Sequence, residues 1–208
     1  MFIELVDALR CPNPHEESWL VVASTLMEHR HVVEGLLGCP VCKAEFPIHR
    51  GVVDFRAGPA PLPPSAISPA DDDAERLAAF LDLTDATGFA VLVGGWGGRA
   101  HALLELVETP LVLVDPPEEI VGAPGISVIR TGGAIPLAAS AARGVAADHT
   151  SRVAEAARIT RLRGRVVAPA SAELVDGLRE LARDERHWVA ERETIASSPV
   201  ALHVRRST

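Results

Sequence analysis

Apolar and polar positions divide the chain into a short alternating region, a proline-rich break and a longer region of apolar runs separated by amphipathic stretches. Within residues 1–56, Trp19 to Met27 and His31 to Leu37 read as strands joined by a polar turn. Phe46-Pro47-Ile48 and Val52-Val53-Asp54-Phe55 flank a further turn at Arg50-Gly51. So few apolar residues hardly support a core alone, so this β-rich module needs a staple. Residues 57–70, with five prolines and no charge, read as an extended linker between a domain at 1–56 and another at 71–208. Asp71-Asp72-Asp73 then opens a helix, because carboxylates favour the positive end of the helix dipole.

Beyond the linker, strands are expected at 90–93, 111–114, 126–129, 144–147, 164–168, 187–191 and 199–205. Helices are expected at 99–107, 136–142, 151–161 and 171–184, with a short or broken one at 117–122. The last full helix rests on the 3.6-residue spacing of Leu174, Val175, Leu178, Leu181 and Ala182. Continuous apolar strands between amphipathic helices predict an α/β fold with a mostly parallel, doubly wound, Rossmann-like sheet. The final pair of strands lacks a helix between them, which places one of them antiparallel near the edge.

The chemistry concentrates where Val91-Leu92-Val93 enters Gly94-Gly95-Trp96-Gly97-Gly98 and where Leu111–Val114 ends in Asp115. Glycines let backbone approach a ligand at a helix N-terminus, and an acid about 20 residues on is placed to hold ribose hydroxyls. Gly95, Gly97 and Asp115 are therefore the candidate cofactor contacts. Pro116-Pro117 blocks a regular helix directly after the acid. The G-x-G-x-x-G pattern is not met, since Ala100 stands at its last position, which disfavours an NAD(P)-dependent reductase.

Charge narrows the partners. The formal net charge of −8 in 208 residues argues against a nucleic-acid binder. Residues 1–56 carry 5 basic and 8 acidic side chains, which is the wrong balance for phosphate contacts. No apolar run reaches membrane-spanning length, and Glu4 and Asp7 interrupt the first apolar stretch, so neither a span nor a signal peptide is expected. Three cysteines do not suggest a disulfide framework, which leaves the cytoplasm as the expected compartment.

Cys11, His15, Cys39 and Cys42 form the second cluster of chemistry. Cys39-Pro40-Val41-Cys42 is a turn that aims two sulfurs at one point, and a Cys3His set suits tetrahedral Zn²⁺. His29, His31 and His49 are alternative ligands. A closed four-ligand site would serve folding rather than catalysis. Leu9-Arg10-Cys11-Pro12, Glu34 to Cys42, and Phe46-Pro47-Ile48-His49-Arg50-Gly51-Val52 resemble the small zinc-ribbon family that includes the activator subunit of tRNA and protein methyltransferases. Arg50 stands where that family has Asp. The resemblance implies a module that covers an apolar edge of a methyltransferase.

Residues 74–208 resemble the class I S-adenosylmethionine-dependent methyltransferases. The likeness is carried by Val153–Val167, a helix-to-strand passage containing Glu155-Ala156-Ala157-Arg158, and by Ile135-Pro136-Leu137 after the third strand. It implies the methyl donor on the glycine turn, its ribose on Asp115 and its adenine near Gly133 and Ala134. This chain departs from that pattern. Val93 stands where an acid is usual, Trp96 is bulky, and Gly132-Gly133-Ala134 lacks the family's Asp. Two readings follow. In one, the donor site is degenerate and the protein is weakly active or non-catalytic, a binding or assembly subunit that meets a protein partner through the ribbon or a sheet edge. In the other, it is an active methyltransferase of unknown acceptor with a built-in zinc-ribbon activator, since transfer from an activated donor needs mainly positioning.

Overall fold

Among the described residues the apolar runs pair into one sheet of eleven strands. A computed structural model describes residues 1–56 and 73–193, so the linker at 57–70 and the expected strand at 199–205 lie outside the described residues. The strands are Val21–Glu28 (β1), His31–Gly38 (β2), Glu45–His49 (β3), Val52–Asp54 (β4), Ala90–Val93 (β5), Leu111–Val114 (β6), Ile126–Arg130 (β7), Ala142–Ala146 (β8), Thr160–Pro169 (β9), Leu178–Arg183 (β10) and His187–Arg192 (β11). Their order is β1-β2-β3-β4-β7-β6-β5-β8-β9-β11-β10. Strands β4 to β9 run parallel where they pair with one another, and β1–β4 and β9–β11 form antiparallel flanks. The expected fold class is the observed one.

Strands of the parallel centre are buried throughout, so each contributes side chains to both faces. On one face, Leu92, Leu111, Leu113 and Val128 pack against Leu77 and Leu81 of Asp73–Leu81 (α1) and Leu103 of Ala100–Leu104 (α2). On the other, Val91, Val93, Val112, Val114 and Val166 pack against Val153, Ala156 and Ile159 of Val153–Ile159 (α3). Leu5 and Leu9, in and after a 3-10 helix at Ile3–Ala8, join this second core and are fully buried.

The N-terminal module therefore has no core of its own. Strand β4 pairs in parallel with β7, Val53 opposite Ile129, and carries the sheet across the expected domain boundary. Leu9 bridges to Leu137, the Arg10 N–H donates to the Pro136 carbonyl at 2.9 Å, and the Ala138 N–H donates to the Ala8 carbonyl at 2.8 Å. The segment at 1–10 covers the stretch between β7 and β8 where a helix at 136–142 was expected. No helix forms there.

Three further expectations change. Residues 171–184 do not form a helix, because Gly177 adopts φ +83° and the following residues become β10, which completes the open edge of β11. Leu174 and Leu181, which supplied the helical spacing, remain exposed. The Asp176-Gly177 pair was the overlooked breaker. Residues 117–122 are held as an irregular loop by the Arg130 guanidinium, which donates to the carbonyls of Pro116, Pro117, Glu118 and Ile120. The helix expected at 99–107 shortens to α2, preceded by a 3-10 helix at Gly94–Arg99.

Shared burial makes a direct prediction. Leu5→Ala should cost about 2–5 kcal/mol, the range for deleting a fully buried leucine side chain. Urea denaturation should show a single transition at lower midpoint, because the module and the sheet share one core.

Candidate functional site

The strand order changes direction between β5 and β8: the chain passes from β5 to β6 and β7 on one side, then to β8 and β9 on the other. Ligands of open α/β sheets bind beyond the carboxyl ends of strands at such a point. Here the spot is a cleft of about 90 Å³ lined by Val93, Gly94, Asp115, Asp148, His149, Ser151 and Arg152. Small-molecule sites usually measure about 300 Å³ or more.

The glycine turn is shaped by the chain's own side chains. Gly94 adopts φ +62°, and a Cβ there would overlap the Asp148 carboxylate. The Gly95 N–H donates to Asp148 Oδ2 at 2.8 Å. A Cβ on Gly97 would collide with Pro116, so that glycine allows the turn to lie against the end of β6. Trp96 does not crowd the cleft. It joins the core on the face of α1 and α2 and rests against His187, ring centroids 5.2 Å apart.

Asp115, at φ +50°, has a side chain only 3% exposed. Its carboxylate accepts from the Thr131 N–H at 2.6 Å, the Thr131 hydroxyl at 2.7 Å and Arg152 Nη2 at 2.9 Å. The other Arg152 amino group donates to the Gly133 carbonyl. Gly133 and Ala134 are themselves exposed. Their loop is tied to α3, since Glu155 accepts from the Ile135 N–H at 3.0 Å and Arg158 donates to the Leu137 and Ile135 carbonyls at 2.7 Å. The Arg158 guanidinium and the Ile135 N–H hold the Glu155 carboxyl below its usual range, against its partial burial.

Residues Gly95, Asp115 and Gly133 thus converge, but on Asp148 and Arg152. None of Asp148, Thr131 and Arg152 was among the expected cofactor contacts. One signal was present. Arg152 sits immediately before α3, where the positive end of the helix dipole disfavours a cation, so it requires an anionic partner. His149 caps the preceding 3-10 turn, its ring accepting from the Ser151 N–H at 3.2 Å.

The second cluster forms as expected from the sequence. One ligand atom from each of Cys11, His15, Cys39 and Cys42 lies within 4.8 Å of every other. Cys11 Sγ is 3.7 Å from Cys42 Sγ, and Cys39 Sγ is 3.4 Å from His15 Nε2. Tetrahedral zinc with Zn–S near 2.3 Å sets ligand pairs roughly 3.5–3.8 Å apart, so the donor set fits. His15 Nδ1 is 2.6 Å from the Glu16 carbonyl, which fixes the tautomer that presents Nε2. The Ala44 N–H and the Asn13 side chain pull the Cys42 thiol down to about 6. His29, His31 and His49 lie outside the cluster.

No protein-family model matches the chain, and comparison with curated proteins found no match. Solved structures resemble parts of it. A geranyl diphosphate C-methyltransferase from Streptomyces coelicolor A3(2), in complex with Mg²⁺, geranyl diphosphate and S-adenosyl-L-homocysteine, is 14% identical over 46% of this chain and 42% of that chain, with a TM-score of 0.38. A chain from a complex containing the Haloferax volcanii Trm112 methyltransferase activator is 12% identical over 60% of this chain and 91% of its own, with a TM-score of 0.45. The chain spans less than half the length of the first structures it matches. Among the described residues, no helix is long and apolar enough to cross a membrane.

Gly94→Ala tests the turn. A side chain at φ +62° that also displaces Asp148 should lower stability by about 1–3 kcal/mol. Thermal or urea denaturation of the variant measures it.

Proposed function

We propose that this protein is a methyltransferase-fold binding or assembly subunit whose donor pocket no longer admits S-adenosylmethionine, and whose catalysis is weak or absent. One observation carries the reading. The acid expected to hold a ribose already accepts three hydrogen bonds from Thr131 and Arg152, beside a cleft of about 90 Å³. A donor would have to displace Arg152 from the buried Asp115 carboxylate, and leaving such a carboxylate without its cation is costly. The residues present do not fit the donor, so no transfer step is derived through it.

The binding role draws support from the module's outer surface. Trp19 and Val21 are 61% and 62% exposed, and Leu26, Met27 and Leu36 are also exposed on or beside the edge strand β1. Exposed apolar groups along a strand that pairs on one side only among the described residues favour a protein partner over a small ligand. In this reading Cys11, His15, Cys39 and Cys42 hold a structural zinc. The ion would supply cross-linking of the two knuckles, with no open position for a reactive water.

Three measurements test the reading. Calorimetric titration with S-adenosylmethionine and S-adenosylhomocysteine should show no binding at micromolar concentrations, whereas micromolar affinity for either would overturn it. Elemental analysis should find one zinc per chain. Cys39→Ser should lose that zinc and lower the melting temperature, and an unchanged melt in a zinc-free variant would contradict the structural role.

A further inference from the structure

Three of the five residues expected at a nucleoside ligand, Gly95, Asp115 and Gly133, each meet a side chain from one five-residue segment. Asp148 reaches the Gly95 amide at 2.8 Å, and Arg152 reaches both Asp115 at 2.9 Å and the Gly133 carbonyl. Both side chains come from the connection between β8 and α3. Resting on the reading above, we infer that the segment Asp148–Arg152 is an internal plug whose carboxylate and guanidinium take the places of the carboxylate and ribose hydroxyls of an excluded nucleoside amino acid.

The chemistry of each contact supports this assignment. The Gly95 N–H is a hydrogen-bond donor beyond the carboxyl end of β5, and Asp148 supplies an anionic acceptor for it. A buried carboxylate needs donors on its free lone pairs. Thr131 provides two of them from the chain's own backbone and hydroxyl, and Arg152 provides the third from the side that faces the cleft. A ribose diol would offer its donors from that same side. Arg152 also joins Asp115 to Gly133, one amino group of its guanidinium on each. The plug is held by a local cap, the His149 ring receiving the Ser151 N–H and lying 2.8 Å from the Ser151 hydroxyl. It is therefore built from a few side chains on an otherwise intact frame, and it should be removable.

The test uses the full chain and two probes. Adenosine carries the diol without the carboxylate, while S-adenosylhomocysteine carries both. Arg152→Ala should raise affinity for adenosine at least tenfold over the parent. Adding Asp148→Ala should raise affinity for S-adenosylhomocysteine at least a further tenfold and leave adenosine unchanged. Circular dichroism reports whether each variant is folded, and Arg152→Met, which keeps the aliphatic stem, replaces Arg152→Ala if the latter unfolds. Folded variants that bind neither probe overturn the plug and leave the reading of a lost donor site standing. A parent that binds S-adenosylhomocysteine at micromolar concentration overturns that reading instead. The plug then falls as well unless the variants still gain tenfold.

Discussion

A carboxylate removed from water must be paired, and Asp115 is removed from water almost completely. That constraint organises the carboxyl edge of the sheet. Its donors come from β7's exit, through Thr131, and from the entrance to α3, through Arg152. Satisfying the acid internally joins three connections that in an open site would stay apart. The same contacts leave little room beyond the strand ends. In the proposed reading, a site of this kind keeps a glycine turn while the chain's own side chains occupy its polar groups.

Continuity of the sheet is the second determinant. The β4–β7 pairing makes the cysteine-bearing module an extension of the α/β sheet, and Leu5, Leu9, Val53 and Ile129 belong to one core. A short β-rich segment with few apolar residues becomes stable by sharing burial with its neighbour. In the proposed reading, a zinc ion held by its three thiols and imidazole adds a staple. The N-terminal 3-10 helix lies where the sheet's own connection, 131–141, forms no helix. Module and sheet are therefore mutually dependent, and the outer edge at β1 is left as the exposed surface.

Much of this was legible in the residues. The buried runs at Val91–Val93 and Leu111–Val114 have no polar interruption, so they could only be interior strands. Cys11, His15, Cys39 and Cys42 were legible because metal-ligand spacing is local to two turns. The helix expected at 171–184 failed because Leu174, Leu178 and Leu181 satisfy a helical spacing by chance. Gly177 and the unpaired edge of β11 decide the outcome, and an unpaired edge is a tertiary fact. The missing helices at 117–122 and 136–142 likewise depend on distant groups, Arg130 in one case and the segment at 1–10 in the other. The partners of Asp115 were hidden for the same reason, since Arg152 lies 37 residues away in sequence.

The central claim is that the polar groups of the nucleoside site are satisfied from within. It is tested most directly by a crystal structure of the unmodified protein grown with millimolar S-adenosylhomocysteine. The account predicts Arg152 still within hydrogen-bond distance of Asp115, Asp148 on the Gly95 amide, and no nucleoside beyond the strand ends. A ribose diol seated on Asp115, with Arg152 displaced, would contradict it.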